Sequence, residues 1–202
     1  MKSVFFVLLI ALVLCVGFVY AKQSAKKDTK QNNDTTNIIK GEKNMGKTLV
    51  AYFSATGTTR KVAKNLASAL NADIYEITPK TLYTDADLNW HDKNSRSSVE
   101  MRDKSSRPEM KDDNFSTDDY DTIYLGFPIW WYVAPTIVNT FLEKHDFSNK
   151  TIILFATSGG SRFGKTVENL KPSVSNSTKI IEGDILNSNP SVEELKTWVK
   201  KF

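Results

Sequence analysis

The segment Ser54–Thr59 has the residue types and spacing that best suit the binding of a phosphate group. It offers four hydroxyl groups and a glycine directly before a predicted helix, and the unpaired N–H groups of a helix N-terminus attract anions. The loop has no lysine or arginine, so it suits a phosphate neutralised by hydrogen bonds and the helix dipole. The alternative is an ordinary helix cap, which needs only one hydroxyl. The predicted phosphate-binding residues are Ser54, Ala55, Thr56, Gly57, Thr58 and Thr59.

Two further segments follow predicted strands and have the composition of ligand-binding loops. Pro128–Tyr132 crowds three large aromatic residues where the chain turns, and such side chains either cover a flat ligand or pack beneath the next helix. Thr157–Ser161 consists of small residues that allow backbone N–H groups to approach a ligand closely. The candidate binding residues are Pro128, Ile129, Trp130, Trp131, Thr157, Ser158, Gly159, Gly160 and Ser161.

The stretch Gly159–Thr166 also fits the P-loop pattern G-x-x-x-x-G-K-T, and it follows a predicted strand. The chain ends 36 residues later, whereas a P-loop nucleotide hydrolase needs further strands and an aspartate that holds Mg²⁺. Asp184 is a poor substitute for that aspartate. A P-loop nucleotide-binding protein is therefore the lesser alternative.

Strands and helices alternate from residue 47 onward, and three of the strands are apolar throughout. This pattern predicts a parallel sheet covered on both faces, a doubly wound α/β domain, whose ligands bind beyond the carboxyl ends of the strands. The long charged connection 79–121 is predicted to be functional or partly helical. The predicted strands are 47–53, 73–78, 122–127, 151–156 and 179–185, and the predicted helices are 58–70, 135–144 and one that opens with a capping box at 191–194.

The net charge of +4 lies outside the predicted domain. The seven basic and three acidic residues of positions 1–46 leave 20 of each sign among residues 47–202. Because this neutral part has no basic stripe interleaved with aromatic residues, we expect no binding to nucleic acid.

Cysteine and histidine are too scarce for several kinds of site. The only cysteine, Cys15, lies in the apolar N-terminal run, which excludes disulfides, thiolate catalysis and thiolate metal ligation from the predicted domain. His91 and His145 lie far apart in polar surroundings, so we predict no metal site.

The N-terminal residues 1–21 have the pattern of a signal peptide or membrane anchor. Val4–Ala21 is uniformly apolar or small, and Val19-Tyr20-Ala21 suits cleavage after Ala21, although the run is also long enough for an uncleaved anchor. Residues 22–46 are polar and predict a disordered linker. We expect a protein of the cell envelope, exported or tethered outside the cytoplasm. The alternative is an anchor with the domain facing the cytoplasm, which the lysines after the apolar run favour.

The three loops together resemble those of flavodoxins. Ser54, Thr56, Gly57 and Thr59 match the phosphate loop, and the Pro-Ile-Trp-Trp and Thr-Ser-Gly-Gly-Ser loops are similar to those of a short flavodoxin-like family. In that family a long second connection bears an Asn-Trp pair and a Ser-Arg-Ser stretch, as at Asn89-Trp90 and Ser95–Ser97 here. The resemblance covers residues 47–202 and implies a five-stranded parallel sheet in the order 2-1-3-4-5, with FMN as the cofactor.

The resemblance implies a redox protein that transfers electrons through bound FMN, with a partner protein or a small-molecule acceptor. An FMN-dependent NAD(P)H or quinone oxidoreductase is the alternative on the same fold. We assign no catalytic acid or base, because the flavin performs the electron chemistry. An envelope module without flavin is a further alternative.

Overall fold

The computed structural model describes residues 46–111 and 114–202. The predicted leader, 1–21, and all of the predicted linker except Gly46 lie outside the described residues. Five parallel strands form one sheet in the order β2-β1-β3-β4-β5, so the predicted doubly wound fold is confirmed. The strands are β1 (Lys47–Tyr52), β2 (Asp73–Glu76), β3 (Tyr120–Pro128), β4 (Thr151–Thr157) and β5 (Lys179–Ile185).

Helices connect the strands. The helix α1 occupies the predicted span, because its apolar residues recur at helical spacing and Asn71 ends it in the left-handed conformation. The predicted capping box of Ser191 and Glu194 opens the last helix. The helices are α1 (Thr58–Leu70), α2 (Arg96–Arg102), α3 (Thr136–Lys144), α4 (Thr166–Leu170) and α5 (Val192–Trp198), with short 3₁₀ turns at Lys171–Ser173 and Val199–Lys201.

Successive strand residues point to opposite sides of the sheet, and a buried apolar cluster covers each of the two faces. On one face, Val50 and Phe155 pack with Leu66 of α1 and Leu195 of α5. The other face holds the larger cluster, which includes Leu125 and Phe127 of β3 together with buried residues of α3 such as Phe141. The two helices that follow β1 and β3 therefore lie on opposite faces.

The structure corrects several predicted boundaries. The strand β2 ends at Glu76, although the Ile77 N–H still donates to the Tyr52 carbonyl at 2.7 Å. Pro135 caps the helix α3 and does not occupy its first turn. The helix α4 was not predicted, because it is only five residues long, and its first residue, Thr166, also ends the stretch that matches the P-loop pattern. The connection 79–121 is partly helical, as expected, because it contains α2.

Within the part of the chain that the structure describes, no helix has the length and apolar character that a bilayer span requires.

Gly126 provides a test of core packing. A Cβ atom at this position would lie 2.1 Å from the ring of Phe155, its fully buried neighbour on β4. We expect Gly126→Ala to lower the free energy of unfolding by about 1–3 kcal/mol, because the close-packed ring has no space to move into. Urea unfolding measures this change.

Gly159→Ala is the matched control, because a Cβ atom there meets nothing within 4 Å. Its free energy of unfolding should change by less than about 0.5 kcal/mol. Equal stability of the two variants would contradict the packing described for Gly126.

Candidate functional site

A cleft of about 720 Å³ opens at the carboxyl ends of the strands, where the strand order reverses. The chain leaves β1 and β3 in opposite directions at this point, so a crevice remains between their loops. The cleft is lined by Ser54, Ala55, Thr56, Thr59, Leu88, Trp90, Ser97, Pro128, Ile129, Trp130, Trp131, Tyr132, Gly159, Gly160 and Ser161.

The structure brings all three predicted loops to this one cleft. Eleven of the fifteen residues predicted for the site line it. The other four, Gly57, Thr58, Thr157 and Ser158, belong to the same loops but do not line the cleft. All four of these residues make hydrogen bonds within these loops or to neighbouring segments.

The loop between β1 and α1 presents its hydroxyl groups to the cleft. Gly57 adopts a φ of 87°, and its N–H donates to Ser54 Oγ at 3.1 Å. No side chain among the described residues caps α1. The first-turn N–H groups of this 13-residue helix can therefore face an anion together with the hydroxyls of Ser54 and Thr56.

A buried pair of hydroxyl groups fixes this loop to the sheet. Thr59 Oγ1 lies 2.8 Å from Thr157 Oγ1, and both side chains are buried. The hydrogen bond joins the first turn of α1 to the end of β4. Thr157 is one of the predicted binding residues; in the structure it does not line the cleft, and its hydroxyl pairs with that of Thr59.

The aromatic loop ends in a strained turn. Trp130 and Val133 exchange backbone hydrogen bonds of 2.9 and 3.0 Å across Trp131 and Tyr132. Both central residues have positive φ, 46° and 68°, the sign pattern of a type I′ turn. Such turns favour Asn-Gly, because a side chain with a Cβ atom is disfavoured in the left-handed region. Strain of this kind is concentrated at functional sites.

Gly164 packs closely against the backbone of this turn. A Cβ atom on Gly164 would lie 2.3 Å from the Tyr132 carbonyl oxygen, and the residue has a φ of 51°. Only glycine allows this approach of two backbone segments. The segment after β4 thus holds the aromatic turn in place.

The loop after β4 is organised by the hydroxyl of Ser158. This hydroxyl accepts hydrogen bonds from the N–H groups of Gly160 and Ser161 at 3.1 and 2.8 Å. The Ser158 N–H donates to Asn187 Oδ1 at 2.7 Å. Ser158 therefore positions the loop, while the adjacent small residues face the cleft.

Sequence reasoning missed four lining residues. Tyr132 belongs to the aromatic run but was not included among the predicted binding residues. The other three, Leu88, Trp90 and Ser97, come from the long connection between β2 and β3. The signal for Trp90 and Ser97 was the resemblance of the Asn-Trp pair and the Ser-Arg-Ser stretch, to which no role was assigned, and Leu88 had no signal.

The lining of the cleft is electrically neutral. None of the lining residues carries a formal charge at neutral pH. The nearby Arg60 is paired with the Glu76 carboxylate, which also accepts a hydrogen bond from the Tyr52 hydroxyl at 2.9 Å. Burial and the adjacent Glu76 raise the pKa of Tyr52 to about 12, so this phenol remains protonated. Binding in the cleft must therefore depend on hydroxyls, N–H groups and aromatic faces.

The geometry of the stretch Gly159–Thr166 does not fit a P-loop. Thr166 would have to bind Mg²⁺, but it is fully buried and its hydroxyl accepts a hydrogen bond from the Ala134 N–H at 3.1 Å. Phe163, in the middle of the pattern, is packed in the core. Lys165 extends toward solvent near Glu168. The stretch therefore matches the P-loop motif in sequence but not in structure.

Comparison with known proteins assigns the family. The profile of the flavodoxin family matches residues 47–202. The chain belongs to the flavodoxin family. No curated protein sequence matches the chain.

Solved structures agree with this assignment. This flavodoxin-family chain is 52% identical to a candidate flavoprotein of Bacteroides uniformis ATCC 8492, covering 77% of this chain and 99% of that one, with a TM-score of 0.72. A candidate flavoprotein of Bacteroides eggerthii DSM 20697 is 44% identical, with coverages of 77% and 97% and a TM-score of 0.72. A flavoprotein of Lactobacillus acidophilus NCFM, solved in complex with FMN, is 22% identical, with coverages of 76% and 99% and a TM-score of 0.57. That last likeness shows the shared fold.

Membership of the flavodoxin family supports FMN as the cofactor, and the cleft fits this molecule chemically. The hydroxyl loop and the N-terminus of α1 suit its phosphate. The indole and phenol rings of Trp131 and Tyr132 suit the flat isoalloxazine. The hydroxyl of Ser97 is buried in the lining without a hydrogen-bond partner among the described residues, so the cleft also presents a polar group for a ligand.

Because the turn is strained, replacing its two central residues with Asn and Gly should raise the stability of the protein and lower its affinity for FMN. In the double variant Trp131→Asn/Tyr132→Gly, the preferred residues of a type I′ turn replace two disfavoured ones. We expect the free energy of unfolding of the FMN-free protein to rise by about 1–2 kcal/mol. The affinity for FMN should fall, because the variant lacks an aromatic surface of the cleft. Urea unfolding and flavin fluorescence titration measure the two effects.

The double variant Trp131→Ala/Tyr132→Ala is the control, because it removes the same rings and keeps a Cβ atom at both positions. It should lose affinity without gaining stability. If both variants unfold at the same urea concentration, the turn is not strained in the way described.

Proposed function

We propose that this protein binds FMN and transfers electrons through the bound flavin. One observation carries the proposal: a neutral cleft at the switch point of the sheet joins a hydroxyl-rich loop to an aromatic turn. When bound, FMN supplies the electron chemistry, and the protein binds and orients it. The Lactobacillus acidophilus flavoprotein, which has the same fold, was solved in complex with FMN, and this supports the proposed cofactor.

Different residues bind the phosphate and the ring system of FMN. Ser54, Thr56 and the N–H groups at the start of α1 hold the phosphate. Trp131 and Tyr132 shield the ring system from water, while the loop at Gly159 and Gly160 brings backbone close to it. Among the described residues that line the cleft, none supplies a carboxylate or an imidazole for proton transfer. We assign no catalytic acid or base.

The electron partner is proposed to be a redox protein or a small-molecule acceptor. Residues 47–202 carry 20 basic and 20 acidic side chains. A balanced surface of this kind provides little long-range electrostatic steering. We infer that partners are recognised by contact at the mouth of the cleft.

An FMN-dependent NAD(P)H or quinone oxidoreductase is the second candidate. It is favoured by the exposed aromatic residues at the cleft: Trp90 is 68% exposed, Trp131 42% and Tyr132 71%. Exposed apolar surface around a cleft is typical of binding sites. A flat, uncharged quinone could stack against these exposed aromatic side chains.

Steady-state kinetics of the purified full chain, loaded with FMN, separates the two functions. A carrier should leave NADH and NADPH unoxidised in the presence of a quinone until a separate flavodoxin reductase is added. An oxidoreductase should reduce the quinone with NADH or NADPH unaided. Rapid unaided turnover would overturn the carrier proposal, and a chain that cannot be loaded with FMN would overturn both.

We also propose that residues 1–21 place the domain outside the cytoplasm, in the cell envelope. Protease added to spheroplasts should then cut the polar segment 22–46 and release the domain. If the leader is cleaved after Ala21, the domain should already be in the released fraction. Protection of the full chain until detergent dissolves the membrane would show the opposite orientation.

A further inference from the structure

Ser97 has an unusual environment for a serine. Its side chain is 1% exposed, it lines the cleft, and its Oγ has no hydrogen-bond partner among the described residues. The neighbouring buried serines differ: the hydroxyls of Ser95 and Ser98 lie 2.9 Å apart and bond to each other. A buried hydroxyl without a partner is unfavourable, so its position beside a ligand-sized cleft points to a bond with the ligand.

The backbone around Ser97 is firmly positioned. The Ser97 N–H donates to the Asp87 carbonyl at 3.0 Å, which ties the start of α2 to the segment that carries Leu88 and Trp90. Ser95 caps α2, and its Oγ accepts a hydrogen bond from the Ser98 N–H at 3.3 Å. The hydroxyl of Ser97 therefore reaches the cleft from a structured element.

A cluster around Arg96 fixes this element against the aromatic loop. The Arg96 guanidinium lies 4.0 Å from the ring centre of Tyr83, and its Nε donates to Glu100 at 2.7 Å. The Tyr83 ring in turn packs edge-to-face on Trp130 at 5.3 Å. Burial raises the pKa of Tyr83 well above its ordinary value, so its hydroxyl stays protonated and donates to Glu100.

The neighbours of Ser97 indicate which part of FMN its hydroxyl faces. The other lining residues from the same connection, Leu88 and Trp90, have no charge and suit a ring system. The phosphate has its own hydroxyl loop at Ser54–Thr59. We propose that the Ser97 hydroxyl donates a hydrogen bond to an acceptor atom of the isoalloxazine ring, a carbonyl oxygen or an unprotonated ring nitrogen. This inference rests on the proposed binding of FMN.

The test compares Ser97→Ala with the wild-type full chain, using FMN and riboflavin as separate probes. Without the hydrogen bond, both dissociation constants should increase about five- to tenfold, and equally, because riboflavin contains the same ring. The visible absorption bands of the bound flavin should shift. The midpoint potential should become more negative, because a donor stabilises the added electron density of the reduced ring.

Two further variants separate hydrogen bonding from structure. Ser97→Cys keeps the size of the side chain but supplies only a weak donor, so it should behave like Ser97→Ala. Ser98→Ala removes a hydroxyl of the same helix that does not line the cleft. It should lower the thermal stability of the FMN-free protein and leave the flavin absorption unchanged. Ser97→Ala should not lower that stability, because its hydroxyl has no partner to lose.

Two results would overturn the inference while FMN binding stands. The first is a Ser97→Ala protein with wild-type affinities for both flavins and an unshifted spectrum. The second is a loss of affinity for FMN alone, which would place the hydroxyl at the phosphate. If the wild-type chain binds neither flavin, the proposed function itself fails.

Discussion

The reversal of strand order at β1 is the constraint on which the binding site depends. Because β2 lies on one side of β1 and β3 on the other, the helices that follow β1 and β3 must cover opposite faces of the sheet. Their loops separate at the carboxyl edge and leave a cleft between them. The buried hydroxyl pair of Thr59 and Thr157 then fixes the first of these loops to β4, on the far side of β3.

The cleft combines uncharged polar groups with aromatic side chains whose backbone is strained. A phosphate bound there would be held by hydroxyls and the N-terminus of α1, with no cation in the lining. The aromatic surface comes from Trp131 and Tyr132, whose backbone is held in the left-handed region partly by the close approach of Gly164. The strained backbone of the turn lowers the stability of the folded protein and places the two rings at the cleft.

Local signals in the sequence were sufficient to predict a doubly wound α/β domain and the three loops, whereas the strand order came from the resemblance to flavodoxins. Apolar spacing fixed the limits of α1, and the hydroxyl-rich loop precedes it directly. The strained turn could not be predicted, because Trp131 and Tyr132 occupy positions where Asn-Gly is the usual signal. The P-loop pattern, already the lesser alternative on the sequence, carries no information about burial, and Phe163 and Thr166 are both buried.

The contribution of the connection between β2 and β3 depends on tertiary contacts. Ser97 reaches the cleft because Arg96 joins Tyr83 and Glu100, residues separated along the chain. No periodicity reveals such an arrangement. The role of Thr157 as a support also depends on a neighbour distant in sequence, Thr59. Side chains that act through long-range contacts are the ones that sequence patterns leave unassigned.

In the proposed function, the neutral cleft recognises FMN through both its phosphate and its ring. The most direct measurement is an equilibrium titration of the FMN-free full chain with FMN and with riboflavin, followed by quenching of flavin fluorescence. We expect saturable binding of both, with FMN bound more tightly because only FMN has a phosphate to contact the hydroxyl loop and the N-terminus of α1. Equal affinity for the two flavins, or no saturable binding of either, would contradict it.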